Sequence, residues 1–207
     1  FAGVDAIPLC INTTDVDEIV KFCKQIEPSF GGINLEDISA PRCFEVLKRL
    51  EEELNIPVFH DDQDGTAIVV LAALINACRV SGKVIKELKV VLNGGGAAGI
   101  AITRLLLSEG VKDIIMVDSR GIIYEGREDI NKFKTEIAKK TNKKKLKGEL
   151  KDAMAGADVF IGVSKGNLVS EGMVMSMNKN PIIFAMANPI PEIMPDKAYK
   201  AGAFIVG

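Results

Sequence analysis

The amino-acid sequence predicts an α/β fold with a doubly wound, mostly parallel sheet. Three observations lead to this prediction. Short apolar segments alternate with longer helical patterns along most of the chain. A glycine-rich turn, Gly94-x-Gly96-x-x-Gly99, stands between an apolar strand pattern and an apolar helix pattern. Two acidic pairs, Glu36-Asp37 and Asp61-Asp62, each follow a predicted strand, which is where ligands bind in open α/β sheets.

The first part of the chain combines helix-capping signals with two short apolar segments. Thr14-Asp15 offers an N-cap to a helical stripe that Pro28 ends, and Pro41 stands where a helix can begin. Gly82 ends a helix that is apolar nearly all round, and residues 60–64 are predicted to be a loop. The predicted elements are a helix at 15–26, a strand at 33–35, a helix from 41 to about 50, a strand at 56–59 and a helix at 65–81.

The second part of the chain changes to a strand, glycine turn, helix and strand that together have the length of a βαβ unit. The Lys143-Lys144-Lys145 run is interpreted as a solvated turn, and Met173, Met175 and Met177 as core residues. The predicted strands are at 89–93, 114–118, 159–163 and 182–185, and FIVG near the end resembles a further strand. One predicted helix follows the glycine turn and ends at 109, and the others are at 129–141, 149–155 and 171–177.

The composition is that of an ordinary globular protein. The chain has 207 residues, 47% of them hydrophobic, and a formal net charge of -2, so we expect neither nucleic acid nor a membrane as a partner. The apolar run 67–78 is too short to cross a bilayer. Four widely spaced cysteines are predicted to be reduced and mostly buried, which favours the cytoplasm. Because the chain begins at Phe1, we expect a piece of a longer polypeptide.

The glycine turn predicts a dinucleotide site of the Rossmann type. Gly94 permits the tight turn, Gly96 lets the backbone approach a pyrophosphate, and Gly99 lets helix and strand pack closely. Asp118 follows Gly94 by 24 positions at the end of the next strand, where a carboxylate accepts the ribose hydroxyls of NAD. Arg120 stands beside it and can instead receive the 2′-phosphate of NADP, so we prefer NAD and leave NADP open.

Two later strand ends are predicted to face the same crevice. Small residues around Ser164, in GVSKG, would let a cofactor lie against the backbone. Asn188, in ANP, carries an amide that can bind a carboxamide or a substrate oxygen. Its alternative role is that of a turn residue before Pro189.

The acidic pairs predict a site for Mg²⁺ or Mn²⁺, since carboxylate oxygens without a Cys or His cluster suit these cations. Capping or solvated acids are the alternative for either pair alone. His60, the sole histidine, is expected to pack or to make a loop hydrogen bond and not to bind a metal. A metal beside a nicotinamide cofactor suggests that the oxidised substrate loses or moves a carboxylate.

Four sequence runs, FGGINLEDI, PVFHDDQDGTAI, GGGAAGIAITRLL and FAMANPIPEI, resemble the consecutive motifs of bacterial-type malic enzymes, and the similarity covers essentially the whole chain. The resemblance implies oxidation and decarboxylation of malate to pyruvate by a homodimer. It divides the chain into the C-terminal part of a substrate and metal domain (1–82) and an NAD(P)-binding Rossmann domain truncated at its C-terminus (83–207).

The resemblance also implies roles for individual residues. Glu36, Asp37 and Asp62 would be metal ligands, and Asp61 would lie beside the catalytic lysine. Asn188 would contact substrate or nicotinamide. The dinucleotide would lie against Gly94, Gly95, Gly96, Ala97, Ala98 and Gly99.

The sequence departs from the family pattern at Asp64, where a histidine is usual, and at Gly95, where an alanine is usual. The family's lysine base and tyrosine acid would precede Phe1, and Tyr124 and Tyr199 do not occupy the acid's motif. Two alternatives therefore stay open. One is an amino- or hydroxy-acid dehydrogenase that does not decarboxylate, and the other is a module that binds NAD without chemistry.

Overall fold

The computed structural model describes residues 3–207, and the chain forms two compact units that divide between His60 and Asp61. The sequence analysis placed a domain boundary later, after residue 82. The difference arises from the apolar helix at Thr66–Ser81, which packs on the helix at Ala97–Ser108 and so belongs to the second unit. Its buried side chains include Val70 and Leu74.

The first unit contains two helices, α1 (Val16–Ile26) and α2 (Arg42–Glu53), and two parallel strands, β1 (Ile33–Leu35) and β2 (Val58–His60). The Asp15 side chain caps α1 by accepting from the Glu18 N–H at 3.0 Å, as the sequence predicted. The apolar stripes of both helices form one core with the strands. Its buried members are Ile19, Val20, Cys23, Leu35, Val46, Leu50 and Leu54.

The second unit begins with a π-helical turn, Asp61–Gly65, that runs directly into α3 (Thr66–Ser81). The prediction of a loop over residues 60–64 was wrong, since His60 ends β2 and the next five residues are helical. Gly82 ends α3 in the left-handed conformation with φ of 70°. The segment from Asp61 to Ser81 is long and apolar enough for a membrane span, a test that core helices also pass. The side chains of Ile68 and Val80 on α3 are exposed.

A six-stranded sheet forms the centre of the second unit. Its strands are β3 (Lys89–Asn93), β4 (Asp113–Asp118), β5 (Gly121–Ile122), β6 (Val159–Gly162), β7 (Ile182–Ala185) and β8 (Ile205–Val206), in the order β5-β4-β3-β6-β7-β8. The strands β3 and β4 flank α4 (Ala97–Ser108), which confirms the βαβ unit. Neighbouring strands are parallel except for the short antiparallel pair of β4 with β5, a strand that was not predicted from the sequence.

Four further helices cover the sheet. Asn131 caps the first of them through the Lys134 N–H at 3.0 Å, so this helix starts three residues later than predicted. The sequence analysis did not predict the last one. They are α5 (Lys132–Lys140), α6 (Leu150–Met154), α7 (Glu171–Met175) and α8 (Pro195–Lys200).

Several single-residue predictions have clear outcomes. Met173 and Met177 pack against the core of the second unit, but the prediction for Met175 was wrong because its side chain is 63% exposed. The turn at 143–145 is exposed, as predicted. The cysteines at positions 23, 43 and 78 are buried, and Cys10 is exposed.

The strand order defines where a ligand can bind. The chain leaves β3 to form β4 on one side and later returns to form β6 on the other side. In doubly wound sheets a crevice opens at the carboxyl ends of strands where the order reverses in this way. The glycine turn follows β3, and Val163 and Ser164 follow β6, so both border that crevice.

Candidate functional site

The glycine turn is held by contacts that only glycine permits. Gly94 has φ of 137°, and a Cβ there would lie 2.8 Å from the Val163 carbonyl oxygen. A Cβ at Gly99 would overlap the Gly94 carbonyl oxygen. Gly96 differs, because nothing lies within 4 Å of its Cβ position. The turn is therefore packed tightly behind Gly94 and Gly99 and open in front of Gly96.

The N-terminus of α4 presents unpaired donors to the crevice. The first hydrogen bond inside this helix runs from the Ile100 N–H to the Gly96 carbonyl at 3.1 Å. The N–H groups of Ala97, Ala98 and Gly99 therefore have no acceptor in their own helix. Together with the helix dipole, they favour an anionic group such as a phosphate.

A cleft of about 330 Å³ opens in front of this helix terminus. It brings together seven residues that the sequence analysis selected, four from the glycine turn and three from other segments: Gly96, Ala97, Ala98, Gly99, Asp62, Ser164 and Asn188. Thr66, Val163, Met186 and Ala187 complete its lining. Gly94, Gly95, Asp118 and Asp61 belong to the same unit but do not line the cleft.

Hydrogen bonds fix the loops after β6 and β7. The buried Asn93 side chain donates from Nδ2 to the Ser164 Oγ at 2.8 Å. The buried Glu192 carboxylate accepts from the Ser164 N–H at 3.0 Å and from the Ala187 N–H at 3.1 Å. The sequence analysis missed Asn93 and Glu192, although Glu192 stands in the NPIPE run beside Asn188.

Asp118 lies at the end of β4, but its carboxylate already has several partners. Lys134 Nζ donates to Oδ2 at 2.6 Å, and Arg127 and the Arg120 N–H each donate to Oδ1 at 3.0 Å. Burial alone would raise the pKa of Asp118, but the hydrogen bonds from Lys134, the Arg120 N–H and Arg127 outweigh it and hold the pKa below its ordinary value. The carboxylate is thus ionised and largely saturated, and its predicted contact with a ribose stays a prediction.

Lys134 explains one departure from the family pattern. A Cβ on Gly95 would lie 2.7 Å from the Lys134 Cε, so the lysine side chain crosses the turn where an alanine methyl group would stand. Glycine at position 95 therefore leaves room for the ion pair between Lys134 and Asp118. Sequence analysis missed Lys134 and Arg127, since no local pattern marks basic residues that fold back onto a strand end.

The proposed metal ligands follow strands: Glu36 and Asp37 come after β1, and Asp62 lies in the π-helical turn after β2. In the first unit, Glu36 and Asp37 follow β1 directly and are exposed, and Asn34 Nδ2 donates to Glu36 Oε2 at 3.1 Å. Asp37 has φ of 56°, a left-handed conformation that is uncommon for residues other than glycine. In the second unit, Asp61 is exposed and Asp62 is half-buried in the π-helical turn. All the donor atoms are hard carboxylate oxygens, which fit Mg²⁺ or Mn²⁺.

His60 is fully buried at the end of β2. Neither of its ring nitrogens has a hydrogen-bond partner among the described residues. The burial agrees with the expected packing role, and the alternative of a loop hydrogen bond is not seen among the described residues.

Comparison with known proteins identifies the family. The model for the malic enzyme NAD-binding domain matches residues 63–203, and the model for the malic enzyme N-terminal domain matches residues 11–51. A bifunctional malic/malolactic enzyme of Bacillus subtilis is 60% identical over 100% of this chain and 51% of its own length. An NAD-dependent malic enzyme of Geobacillus stearothermophilus is 57% identical over 96% of this chain and 41% of its own length.

Solved structures agree with the sequence relatives. An NAD-dependent malic enzyme from Thermotoga maritima superposes with a TM-score of 0.97 at 52% identity, over 100% of this chain and 55% of that protein. The chain thus spans about half the length of the relatives it matches. The match to the NAD-binding domain model includes the glycine turn, and the superposition covers the whole chain. The chain belongs to the malic enzyme family.

Proposed function

We propose that the complete polypeptide containing this chain oxidises and decarboxylates (S)-malate to pyruvate and CO₂, with NAD or NADP as the hydride acceptor. One observation carries the proposal: Asp62, a carboxylate of the acidic motif, lines the same cleft as the glycine turn and Asn188. A dinucleotide site and an acidic group that can bind a cation therefore share one space. The named relatives favour this activity over a dehydrogenase without decarboxylation and over a module without chemistry.

The chain's own residues would bind and orient the cofactor. The N–H groups at the start of α4 would receive the pyrophosphate in front of Gly96. Ser164 and Asn188, which line the same cleft, would bind the nicotinamide or the substrate oxygens. Asp118 would accept a ribose hydroxyl of NAD, our preferred cofactor. Its ion pairs with Lys134 and Arg127 reduce the repulsion of a 2′-phosphate, so NADP is the alternative.

We further propose Glu36, Asp37 and Asp62 as ligands of Mg²⁺ or Mn²⁺, as the family resemblance implies. When bound, such a cation acts as a Lewis acid that stabilises negative charge on the oxygen at C2 during decarboxylation. Asp61, adjacent to Asp62, would orient the lysine that takes the hydroxyl proton. That lysine and the tyrosine that returns a proton are expected before Phe1.

The direct test measures malate-dependent reduction of NAD and of NADP by the complete polypeptide with Mn²⁺, together with pyruvate and CO₂ release. Stoichiometric pyruvate and CO₂ would support the proposal. Accumulation of oxaloacetate without CO₂ would instead indicate a dehydrogenase that does not decarboxylate. Binding of NAD with no turnover would indicate the binding module.

The metal assignment has its own test. Asp62→Asn removes one charged ligand oxygen and should reduce Mn²⁺ affinity and decarboxylation at least tenfold. Asp64→Asn, in the same π-helical turn, removes the same charge from a residue that is no proposed ligand and serves as the matched control. Unchanged metal-dependent decarboxylation in Asp62→Asn would exclude this residue as a ligand.

We also propose that the complete protein is a homodimer, as the family resemblance implies. Exposed apolar residues on α3, among them Ile68 and Val80, offer a surface that a second subunit could cover. Light scattering on the purified protein would measure the molar mass directly, and a mass of one subunit would contradict the proposal.

A further inference from the structure

Glu192 is a buried carboxylate in an unusual position, between the carboxyl ends of β6 and β7. Its side chain is fully buried, and no lysine or arginine forms an ion pair with it among residues 3–207. Its partners are two backbone donors, the Ser164 N–H to Oε1 at 3.0 Å and the Ala187 N–H to Oε2 at 3.1 Å. Each carboxylate oxygen therefore holds a different loop.

The main chain joins the same two loops at further points. The Val169 N–H donates to the Glu192 carbonyl at 3.0 Å, and the Asn167 N–H donates to the Pro191 carbonyl, also at 3.0 Å. The segments 163–169 and 186–192 are thus connected along their length. Glu192 contributes both its backbone and its side chain to this connection.

The sheet makes room for the carboxylate. A Cβ on Gly162, the last residue of β6, would overlap the Glu192 carboxylate. Because Gly162 has no side chain, the carboxylate can reach across β6 to the Ser164 N–H. Burying a carboxylate is costly, and a residue that served only to fill space would be apolar. The presence of a carboxyl group at position 192 is therefore explained by the two N–H groups that donate to it.

Both loops border the cleft in front of α4. Ser164 and Ala187, whose N–H groups Glu192 holds, line the cleft, and Asn188 follows Ala187 directly. The Asn93 side chain also binds Ser164, by donating a hydrogen bond to the Ser164 Oγ. The backbone of Ser164 and of Ala187 is thus fixed by one side chain that does not itself line the cleft.

We propose that Glu192 is a positioning residue of the dinucleotide cleft: its carboxylate sets the spacing between the loop that carries Ser164 and the loop that carries Asn188. This inference rests on the proposed function, since it assigns that cleft to a dinucleotide. Glu192 acts through the two backbone N–H groups and contacts neither cofactor nor substrate.

Glu192→Gln in the complete polypeptide tests the inference. Glutamine has nearly the same shape, but its NH₂ group would face one of the two N–H groups, so one loop loses its acceptor. We expect the Kd for NADH, measured by fluorescence titration, to rise at least tenfold. We also expect kcat/KM for malate to fall at least tenfold, with a measurable decrease in Tm.

Asp158→Asn is the matched control. Asp158, another mostly buried carboxylate, directly precedes β6. It accepts hydrogen bonds from the Lys89 N–H at 2.9 Å and from Lys83 Nζ at 2.7 Å. It lies at the end of the sheet opposite to the cleft. Asp158→Asn should lower Tm but leave the Kd for NADH within twofold of the wild-type value. If Glu192 had a purely structural role, Glu192→Gln would give this same result.

The outcomes separate the inference from the proposed function. Equal weakening of NADH binding in both variants, or a Glu192→Gln variant that binds NADH within twofold of wild type, would overturn the inference. If Glu192→Gln does not fold, Glu192→Asp retains the carboxyl group but is too short to reach both N–H groups, and the same tenfold criterion applies. A wild-type protein that binds NADH but does not turn over malate would refute the proposed activity while the binding comparison still decides the role of Glu192.

Discussion

Gly96→Ala should abolish tight dinucleotide binding without disturbing the fold. Gly96 has φ of -90° and ψ of -160°, an extended conformation that alanine adopts, and nothing lies within 4 Å of the added methyl group. Replacing glycine at such a compatible position stabilises a protein by about 0.4–1 kcal/mol, because the unfolded chain loses freedom. We therefore expect Tm to stay the same or to rise slightly.

The effect on binding should be much larger. The methyl group would project into the cleft that Gly96 lines, where the pyrophosphate is proposed to meet the N–H groups of α4. A hydrogen bond to a charged group contributes about 1.5–3 kcal/mol, so losing one of them costs roughly the same amount. Since 1.4 kcal/mol corresponds to a factor of ten, the Kd for NADH should rise roughly 10- to 140-fold.

Isothermal titration calorimetry with NADH and thermal melting of the same preparations measure both quantities. Gly172→Ala is the control, since the nearest atom to its added methyl group, Ser170 Oγ, is 3.8 Å away and α7 does not line the cleft. A Gly96→Ala variant that binds NADH as tightly as wild type would refute the placement of the pyrophosphate. A lowered Tm would refute the claim that the front of Gly96 is open.

Three further predictions follow from the same unit. Gly99→Ala should destabilise the protein by about 1–3 kcal/mol in urea unfolding, because its Cβ would overlap the Gly94 carbonyl oxygen; an unchanged midpoint would contradict this. Lys134→Gln should raise the ratio of KM for NADP to KM for NAD several-fold, since it removes a cation beside Asp118, and an unchanged ratio in steady-state assays would exclude this role. Burial raises the pKa of Asp158, but the hydrogen bonds that its carboxylate accepts lower the pKa by more than burial raises it. The pKa of Asp158 therefore lies below its ordinary value. The stability that Asp158 contributes is therefore present above about pH 4 and lost as the pH falls through the lowered pKa, and Asp158→Asn should show a shallower acid dependence of Tm than wild type.

Local signals in the sequence predicted most of the helices and the glycine turn. The N-cap at Asp15 and the left-handed Gly82 depend on a few neighbouring residues, so they can be recognised without the rest of the chain. The strand at 56–59 was predicted two residues too early at its start, because β2 (Val58–His60) takes its limits from its pairing with β1. Pairing with a distant segment is not encoded in a local pattern.

The parts of the site that sequence analysis missed depend on contacts between distant residues. Glu192 meets Ser164 across 28 positions, and Lys134 meets Asp118 across 16. Glutamate and lysine are ordinary surface residues by composition, and only folding brings these two to a strand end. By contrast, Ser164 follows a predicted strand directly and Asn188 comes three residues after one, so the topology rule that places ligands at strand ends was sufficient to select them.

The lining of the cleft determines which experiments can detect its function. Five of the eleven residues that line it are glycine or alanine, namely Gly96, Ala97, Ala98, Gly99 and Ala187. An alanine scan removes side-chain atoms, and at these positions there is almost nothing to remove. The proposed dinucleotide would meet mostly main-chain groups at these positions, so informative variants must add atoms or change the groups that hold the backbone in place. Side chains at these positions must remain small for the cleft to keep its volume.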